Sequence, residues 1–384
     1  MKTPYDFLII GSGVIGLTIA HSLKYHRRDA RILVIDKEED VAAHASGRNS
    51  GVLHAGFYYT ADSLKAKFTV AGNQAMKEYC RQKNLPVNEC GKLVVAQNES
   101  ELGQLYELEQ RGRRNGSEVE IIDETQARRI EPNVRTYKKA LYSPKTASVN
   151  PEQVCQSLKK DLLSSGVDFS FRTKYLGKTP DGPSASFISD RRAGPPADFV
   201  NAWRAGVRTS KGDFAAAKII NCAGLYADRV AQDFGFGRRY TMIPFKGLYL
   251  KYTKNKTDVR CHIYPVPNLK NPFLGVHFTK TVTGEIKIGP TAIPALWREN
   301  YDSMLNFNLG EFLSIAGYEA RLFLSDSFGF RGLALEEMKK YNRPYFIGLA
   351  RRLVQEVDPQ GFTEFTTPGI RAQLLDKKTM NLVQ

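Results

Sequence analysis

Gly11, Gly13 and Gly16 stand in a G-x-G-x-x-G spacing, directly behind the apolar run 6–10 and at the head of a helical pattern. That spacing meets three needs of one ligand: a tight turn, close approach of a pyrophosphate to bare backbone, and packing of helix on strand. Val14 and Ile15 lie between the glycines, where the first N–H groups of a helix face phosphates and stabilise their charge. Asp36 ends a second apolar run about 20 residues after the last glycine, placed to accept hydrogen bonds from a ribose, and Lys37 stands beside it. Glycines alone specify a turn. With strand, helix and acid in register they specify a dinucleotide.

A second polar segment, 44–59 (HASGRNSGVLHAGFYY), tilts the choice of dinucleotide toward FAD. Ser46, Gly47, Arg48, Asn49, Ser50 and Gly51 offer hydroxyls, bare backbone and a cation within a few positions, suited to a pyrophosphate and the polar edge of an isoalloxazine. A capped surface turn is the other reading these residues allow.

The elements that must position these groups follow from periodicity. The run 6–10, the helical stretch 14–25 and the run 31–36 form a βαβ opening. Helical patterns recur at 63–83 and 100–115, with a strand at 91–96 (GKLVVA) between them. Asn150 as cap and Pro151 at the first position open a helix to 165. The stretch 179–202 reads as a surface insertion. A buried strand at 218–222 turns through Ala223 and Gly224 into a helix near 225–234. From 243 the texture becomes aromatic-rich and alternating, as in an antiparallel sheet, and helical segments return near 307–324 and 345–357. The expected architecture is α/β: a discontinuous Rossmann-like domain (1–84, 145–240 and 361–384), resumed near 363–375, with a mixed or antiparallel-sheet domain for the substrate (85–144 and 241–360).

The 384 residues carry a formal charge of +15. The basic residues are scattered, without the interleaved aromatics that stack bases, so nucleic acid is excluded as a partner, whereas peripheral contact with an anionic membrane face stays open. The five cysteines form no CxxC pair and no metal-like cluster with the six histidines, so no metal is expected. No apolar run reaches 18 residues, and the first strand begins so early that no targeting peptide is expected, which points to the cytoplasm.

The 44–59 segment, continued by SLKAK (63–67), resembles the signature of the L-2-hydroxyglutarate dehydrogenases and oxidases, flavoproteins of the D-amino-acid-oxidase-like group. The likeness recurs in CGKLVVA (90–96), NCAGLYADR (221–229), IPFKGLYL (243–250), YPVPNLKNPFLGVHFT (264–279), IGPTA (288–292) and GIRAQLLD (369–376). It implies oxidation of the 2-hydroxyl of L-2-hydroxyglutarate to the ketone of 2-oxoglutarate, with hydride passing to FAD and electrons leaving to oxygen or a membrane quinone. Ala223 and Gly224 join the cofactor-binding set on the same ground.

Such chemistry needs a base for the hydroxyl proton and cations for two carboxylates. His54 and His277 are the candidate bases, since each is neutral near pH 7. For His277, in an alternating strand, a satisfied core histidine is an equal reading. Arg371, Lys246, Tyr59 and Tyr249 are the candidate carboxylate ligands; tyrosines also fill cores, and the family more often has Arg at the position of Lys246. Family chains also continue past RAQLLD into a final helix aimed at the flavin's pyrimidine edge, so weaker flavin retention is expected of a sequence that reads only to Gln384. Two alternatives follow: an amino-acid or glycerol 3-phosphate oxidoreductase of the same fold, and a non-catalytic remnant of it.

Overall fold

The computed structural model describes residues 5–179, 205–254, 259–267 and 275–383. The expected insertion lies, from residue 180 on, outside them.

The βαβ opening is built from the strand Tyr5–Ile10, the helix Val14–His26 and the strand Ile32–Ile35. With Gly212–Asn221 and Asp168–Ser170 these strands form a parallel array, extended by the antiparallel strands Ala205–Thr209 and Tyr175–Lys178. Parallel strands are covered on both faces, so their sequences run apolar without alternation. Phe7, Ile9, Ile32 and Val34 pack under the first helix and under Pro151–Ser164, through Leu17, Ala20, Val154 and Leu158. Leu8, Ile10, Leu33 and Ile35 face Val207 and Val230 on the other side. The helix at 151 starts where its cap requires: Asn150 Oδ1 accepts from the N–H groups of Glu152 at 3.0 Å and Gln153 at 3.2 Å.

The aromatic-rich half forms an eight-stranded mixed sheet. Its order is Phe362–Phe365, Leu250–Tyr252, Ile286–Gly289, His277–Lys280, His262–Pro265, Lys92–Val95, Lys139–Ser143 and Glu120–Asp123. Lys92 pairs with His262 in parallel, and Ile263 with Phe278 in antiparallel register. Because side chains alternate along a strand, Leu93, Val95, Ile263 and Phe278 share one face, which packs on Phe346, Ile347 and Ala350 of the helix Arg343–Arg351. Lys92, His262, Tyr264 and His277 are thereby forced onto the other face.

Three expectations change. The helix expected at 345–357 ends at Arg351, because Val354 bridges to Val134 and the Gln355 N–H donates to Asn133 O at 2.7 Å, which draws the chain out of the helix. The helix Phe330–Lys339 had no counterpart in the sequence reading. The segment expected to resume the first domain divides instead between two other sheets: Phe362–Phe365 joins the eight-stranded one, and Gly369–Asp376 pairs along its length with Tyr240–Gly247. Among the described residues no helix is long and apolar enough to cross a membrane.

Candidate active site

The first and third turns of the parallel array meet at the carboxyl ends of its strands, where the chain's path switches sides of Tyr5–Ile10. The Gly11 N–H donates to Ile35 O at 2.9 Å and the Cys222 N–H to Ile10 O at 2.8 Å. Such a switch point is the crevice where doubly wound sheets bind dinucleotides. Gly11 has φ +109°, and a Cβ there would stand 2.3 Å from Cys222 O, so only glycine lets the loop run against the 222–224 turn. A Cβ on Gly13 would stand 3.0 Å from Ser46 Oγ. Ser46 Oγ accepts the Val14 N–H at 2.9 Å, tying the helix N-terminus to the second polar segment. Gly13 itself places no side chain over that terminus, and Ile15 stands open to solvent. With Val14 capped by Ser46, the next N–H groups of this first turn, those of Ile15 and Gly16, form a cradle that fits a pyrophosphate.

Asp36 is already engaged. Its Oδ2 accepts from the N–H and the hydroxyl of Ser12, each at 2.7 Å, and its Oδ1 accepts from the Glu38 N–H at 3.0 Å. A carboxylate has about four acceptor positions, so one is left for a ribose hydroxyl. Lys37 turns away into an acidic group, pairing with Glu299 at 2.8 Å and with Glu38, and lying 3.0 Å from His44 Nε2. Its ammonium is the cation that Glu38, His44 and Glu299 surround.

The second polar segment is fixed by its own contacts. Arg48 donates from Nε to Ala43 O at 2.7 Å and stacks on Tyr301, 4.4 Å from the ring centroid. Asn49 Oδ1 accepts the Gly51 N–H at 2.8 Å, and the Val149 N–H donates to Gly51 O at 2.9 Å. Gly369 passes directly against the Arg48 carbonyl, so the strand carrying Arg371 leans on this loop. A cleft of about 960 Å³ opens beside it, lined by Gly47, Arg48, Asn49, Ser50, Tyr249 and Lys287 among others.

Tyr249 connects that cleft to a buried group of bases. Its ring lies edge-on to His277 with centroids 6.4 Å apart, and His277 stacks on Tyr264 at 3.6 Å. His54 meets the same Tyr264 edge-on at 6.3 Å. Lys92, wholly buried, lies 3.0 Å from His54 Nδ1 and 4.0 Å from the Tyr264 centroid. The His54 loop is pinned from behind: Asn73 Nδ2 donates to Leu53 O at 2.9 Å and Asn115 Nδ2 to Gly56 O at 3.0 Å.

Burial shapes the electrostatics of this group. It holds His277 well below the ordinary histidine value, against its bond to Gly275, and the charges of Lys92, His262 and Arg371 push the same way. Burial and then Lys92 hold His54 low too, and burial brings Lys92 down to about 7. His277 Nδ1 is 2.8 Å from Gly275 O. A carbonyl only accepts, so Nδ1 carries the proton and the neutral ring presents Nε2 as an acceptor. The bond does not reach into bulk water, since His277 is 2% exposed.

His54, His277 and Tyr249 come together, and the Arg371 charge acts on both His277 and Tyr249. Two other candidates do not join them. Tyr59 turns to the helix Leu64–Gln82, bonded to Thr69 and lying under Lys65, and it is Tyr58 that borders His54, at 6.2 Å. Lys246 pairs with Ile370 while Arg371 pairs with Phe245, so the two cations project from opposite faces of their sheet. Sequence reading missed Lys92, Tyr58, His262 and Tyr264. Lys92 had a signal, because alternation in KLVV puts it in phase with Val94, on a face that Phe57 and Leu105 bury.

The family model described as FAD dependent oxidoreductase matches residues 6–323. The mitochondrial L-2-hydroxyglutarate dehydrogenase of Nematostella vectensis is 35% identical over 391 aligned residues, covering 97% of this chain and 80% of the relative. The L-2-hydroxyglutarate dehydrogenase of Escherichia coli is 34% identical, covering 82% and 69%. Among solved structures, FAD-bound L-alpha-glycerophosphate oxidase from Mycoplasma pneumoniae superposes with a TM-score of 0.74 at 20% identity, covering 99% of this chain and 85% of that one.

Proposed function

We propose, on the premise that the chain belongs to the FAD-dependent oxidoreductase family and within it to the L-2-hydroxyglutarate dehydrogenases, that it oxidises L-2-hydroxyglutarate to 2-oxoglutarate. The observation that carries this reading is the group formed by half-buried His54 and buried Lys92, His262 and His277 beside the exposed Arg371. Its histidines are neutral bases, its cations are Lys92 and Arg371, and Lys92 has no acidic partner among the described residues. A small dianion supplies the charge such a site lacks.

FAD, when bound, supplies the two-electron acceptor for the hydride from C2. The residues that would hold it are Gly11, Gly13, Val14, Ile15 and Gly16 at the phosphates, Asp36 at the ribose, and Ser46 to Gly51 with Ala223 and Gly224 around the rest. His277 takes the hydroxyl proton at Nε2, the nitrogen its bond to Gly275 leaves unprotonated. Tyr249 borders that base with its ring edge-on and is hydrogen-bonded to Ser50 of the second polar segment. Arg371, which spends one N–H on Thr291 O at 3.3 Å, grips a substrate carboxylate with its remaining fork.

The purified protein is then yellow and bleaches anaerobically with L-2-hydroxyglutarate but not with the D isomer. Bleaching by amino acids or glycerol 3-phosphate in place of L-2-hydroxyglutarate overturns the substrate. Recovery of the yellow colour on admitting air, against recovery only with a quinone, tells which acceptor the protein uses.

Arg371→Ala removes a charge-assisted hydrogen bond worth roughly 1.5–3 kcal/mol. The KM for L-2-hydroxyglutarate should rise about 10- to 100-fold at unchanged flavin content. A variant with wild-type KM and kcat removes Arg371 from the carboxylate site.

A further inference from the structure

Lys92 is the feature of this group that the reaction above leaves without a task. Its ammonium is wholly buried at the start of Lys92–Val95 and touches no carboxylate among the described residues. Its neighbours are the faces of Tyr264 at 4.0 Å, Tyr58 at 5.1 Å and Phe57 at 5.6 Å, and among the described residues its one hydrogen-bond partner is His54 Nδ1 at 3.0 Å. An ammonium has three donors and no acceptor, so in that contact Nδ1 must be the unprotonated nitrogen. A neutral His54 bonded this way carries its proton on Nε2.

The two histidines are thus in opposite states. His277 gives its Nδ1 proton to Gly275 O and keeps Nε2 as an acceptor, whereas His54 receives at Nδ1 and keeps Nε2 as a donor. Both rings flank Tyr264. One acceptor and one donor are what a 2-hydroxy acid needs at its reacting end: a base for the hydroxyl proton and a donor for the oxygen that becomes a ketone or for the adjoining carboxylate.

We propose that Lys92 is a positioning residue: its hydrogen bond to Nδ1 locks His54 in the Nε2–H tautomer, so that His54 donates to the substrate and the proton is left to His277. The part about His277 rests on the reading given under Proposed function; the tautomer of His54 does not. Lys92 never meets the substrate and acts through His54.

The lock depends on the charge of Lys92, which burial brings down to about 7. The groups facing it are His54 and Tyr58 from the pinned loop, His262 and Tyr264 from the neighbouring strand, His277 from the strand beyond, and Cys90 on its own chain segment. The histidines among them are held neutral, chiefly by burial. Above the Lys92 titration the amine offers a lone pair to an Nδ1–H, and the opposite tautomer becomes accessible.

The test uses the FAD-loaded enzyme with 15N-labelled histidine, its ring resonances read by long-range 1H–15N correlation and assigned by loss in His54→Gln. At pH 6 the wild-type His54 should show a protonated Nε2 and a bare Nδ1. Lys92→Met should move His54 toward the other tautomer and slow flavin reduction roughly 10²-fold, as misplacement or a wrong tautomer does. Lys92→Arg, which keeps a donor, should restore both the ring shifts and most of the rate. Unchanged His54 shifts in Lys92→Met overturn the proposal, as does equal loss in Met and Arg variants without a change of tautomer. Should Lys92→Met fail to fold, the wild type alone decides: a His54 ring that carries its proton on Nδ1 at pH 6 overturns the lock. If L-2-hydroxyglutarate proves not to be the substrate, the ring shifts still judge Lys92.

Discussion

His277→Ala should reduce flavin about 10²- to 10⁴-fold more slowly than the wild type on mixing with L-2-hydroxyglutarate, with flavin content unchanged. That range is what a positioned general base contributes. The ring sits in the strand His277–Lys280 of the eight-stranded sheet, a different sheet from the one that carries the glycine loop, so its loss leaves that loop's own packing intact. The pH profile adds a check with a defined sign. The base works in its neutral form, so the rate is lost as pH falls through its titration. Burial, helped by Lys92, His262 and Arg371, holds His277 well below the ordinary histidine value. The acid limb of flavin reduction should therefore lie below pH 6.5 and vanish in His277→Ala. Stopped-flow absorbance at the flavin band measures both. A wild-type rate in the variant, or an acid limb that persists in it, assigns the proton to another group.

Gly13→Val should yield a protein that purifies without flavin. The reason is local: a Cβ on residue 13 already stands 3.0 Å from Ser46 Oγ, and the two methyl groups of valine reach further into the space between the loop and the second polar segment. They displace Ser46 from the Val14 N–H it caps at 2.9 Å and cover the N–H groups that phosphates would meet. The expected loss is about 10²-fold in Kd, at the upper end of the roughly 1–3 kcal/mol that forced overpacking costs. The ratio of flavin to protein absorbance, before and after incubation with excess FAD, reads it out. Full flavin occupancy in the valine variant would place the pyrophosphate elsewhere.

These two predictions come from parts of the chain that were unequally legible. The nucleotide half could be read from residues 5–51, because each cue there acts over a short distance. The same holds for Asn150 and Pro151, whose cap and first-turn positions open the helix Pro151–Ser164. The catalytic half could be read only in outline. His54 and His277 were visible as candidates, yet nothing in the sequence separated Tyr58 from Tyr59 or showed that Lys246 and Arg371 project from opposite faces. Those distinctions depend on which neighbour covers each face and on the register of Tyr240–Gly247 against Gly369–Asp376. The fate of residues 362–376 is of the same kind: a strand's sequence states that it will pair, seldom with what.

By itself the sequence determined the cofactor end of this protein, since three glycines, a helix start and an acid are constraints on one stretch of backbone. The tertiary structure decided the chemistry at the other end. Lys92 is an ordinary lysine until strands at 262–265 and 277–280 close over it, and His54 has no preferred nitrogen until that lysine arrives within 3.0 Å. Charge state and tautomer are properties of surroundings, and here those surroundings come from segments far apart in the chain.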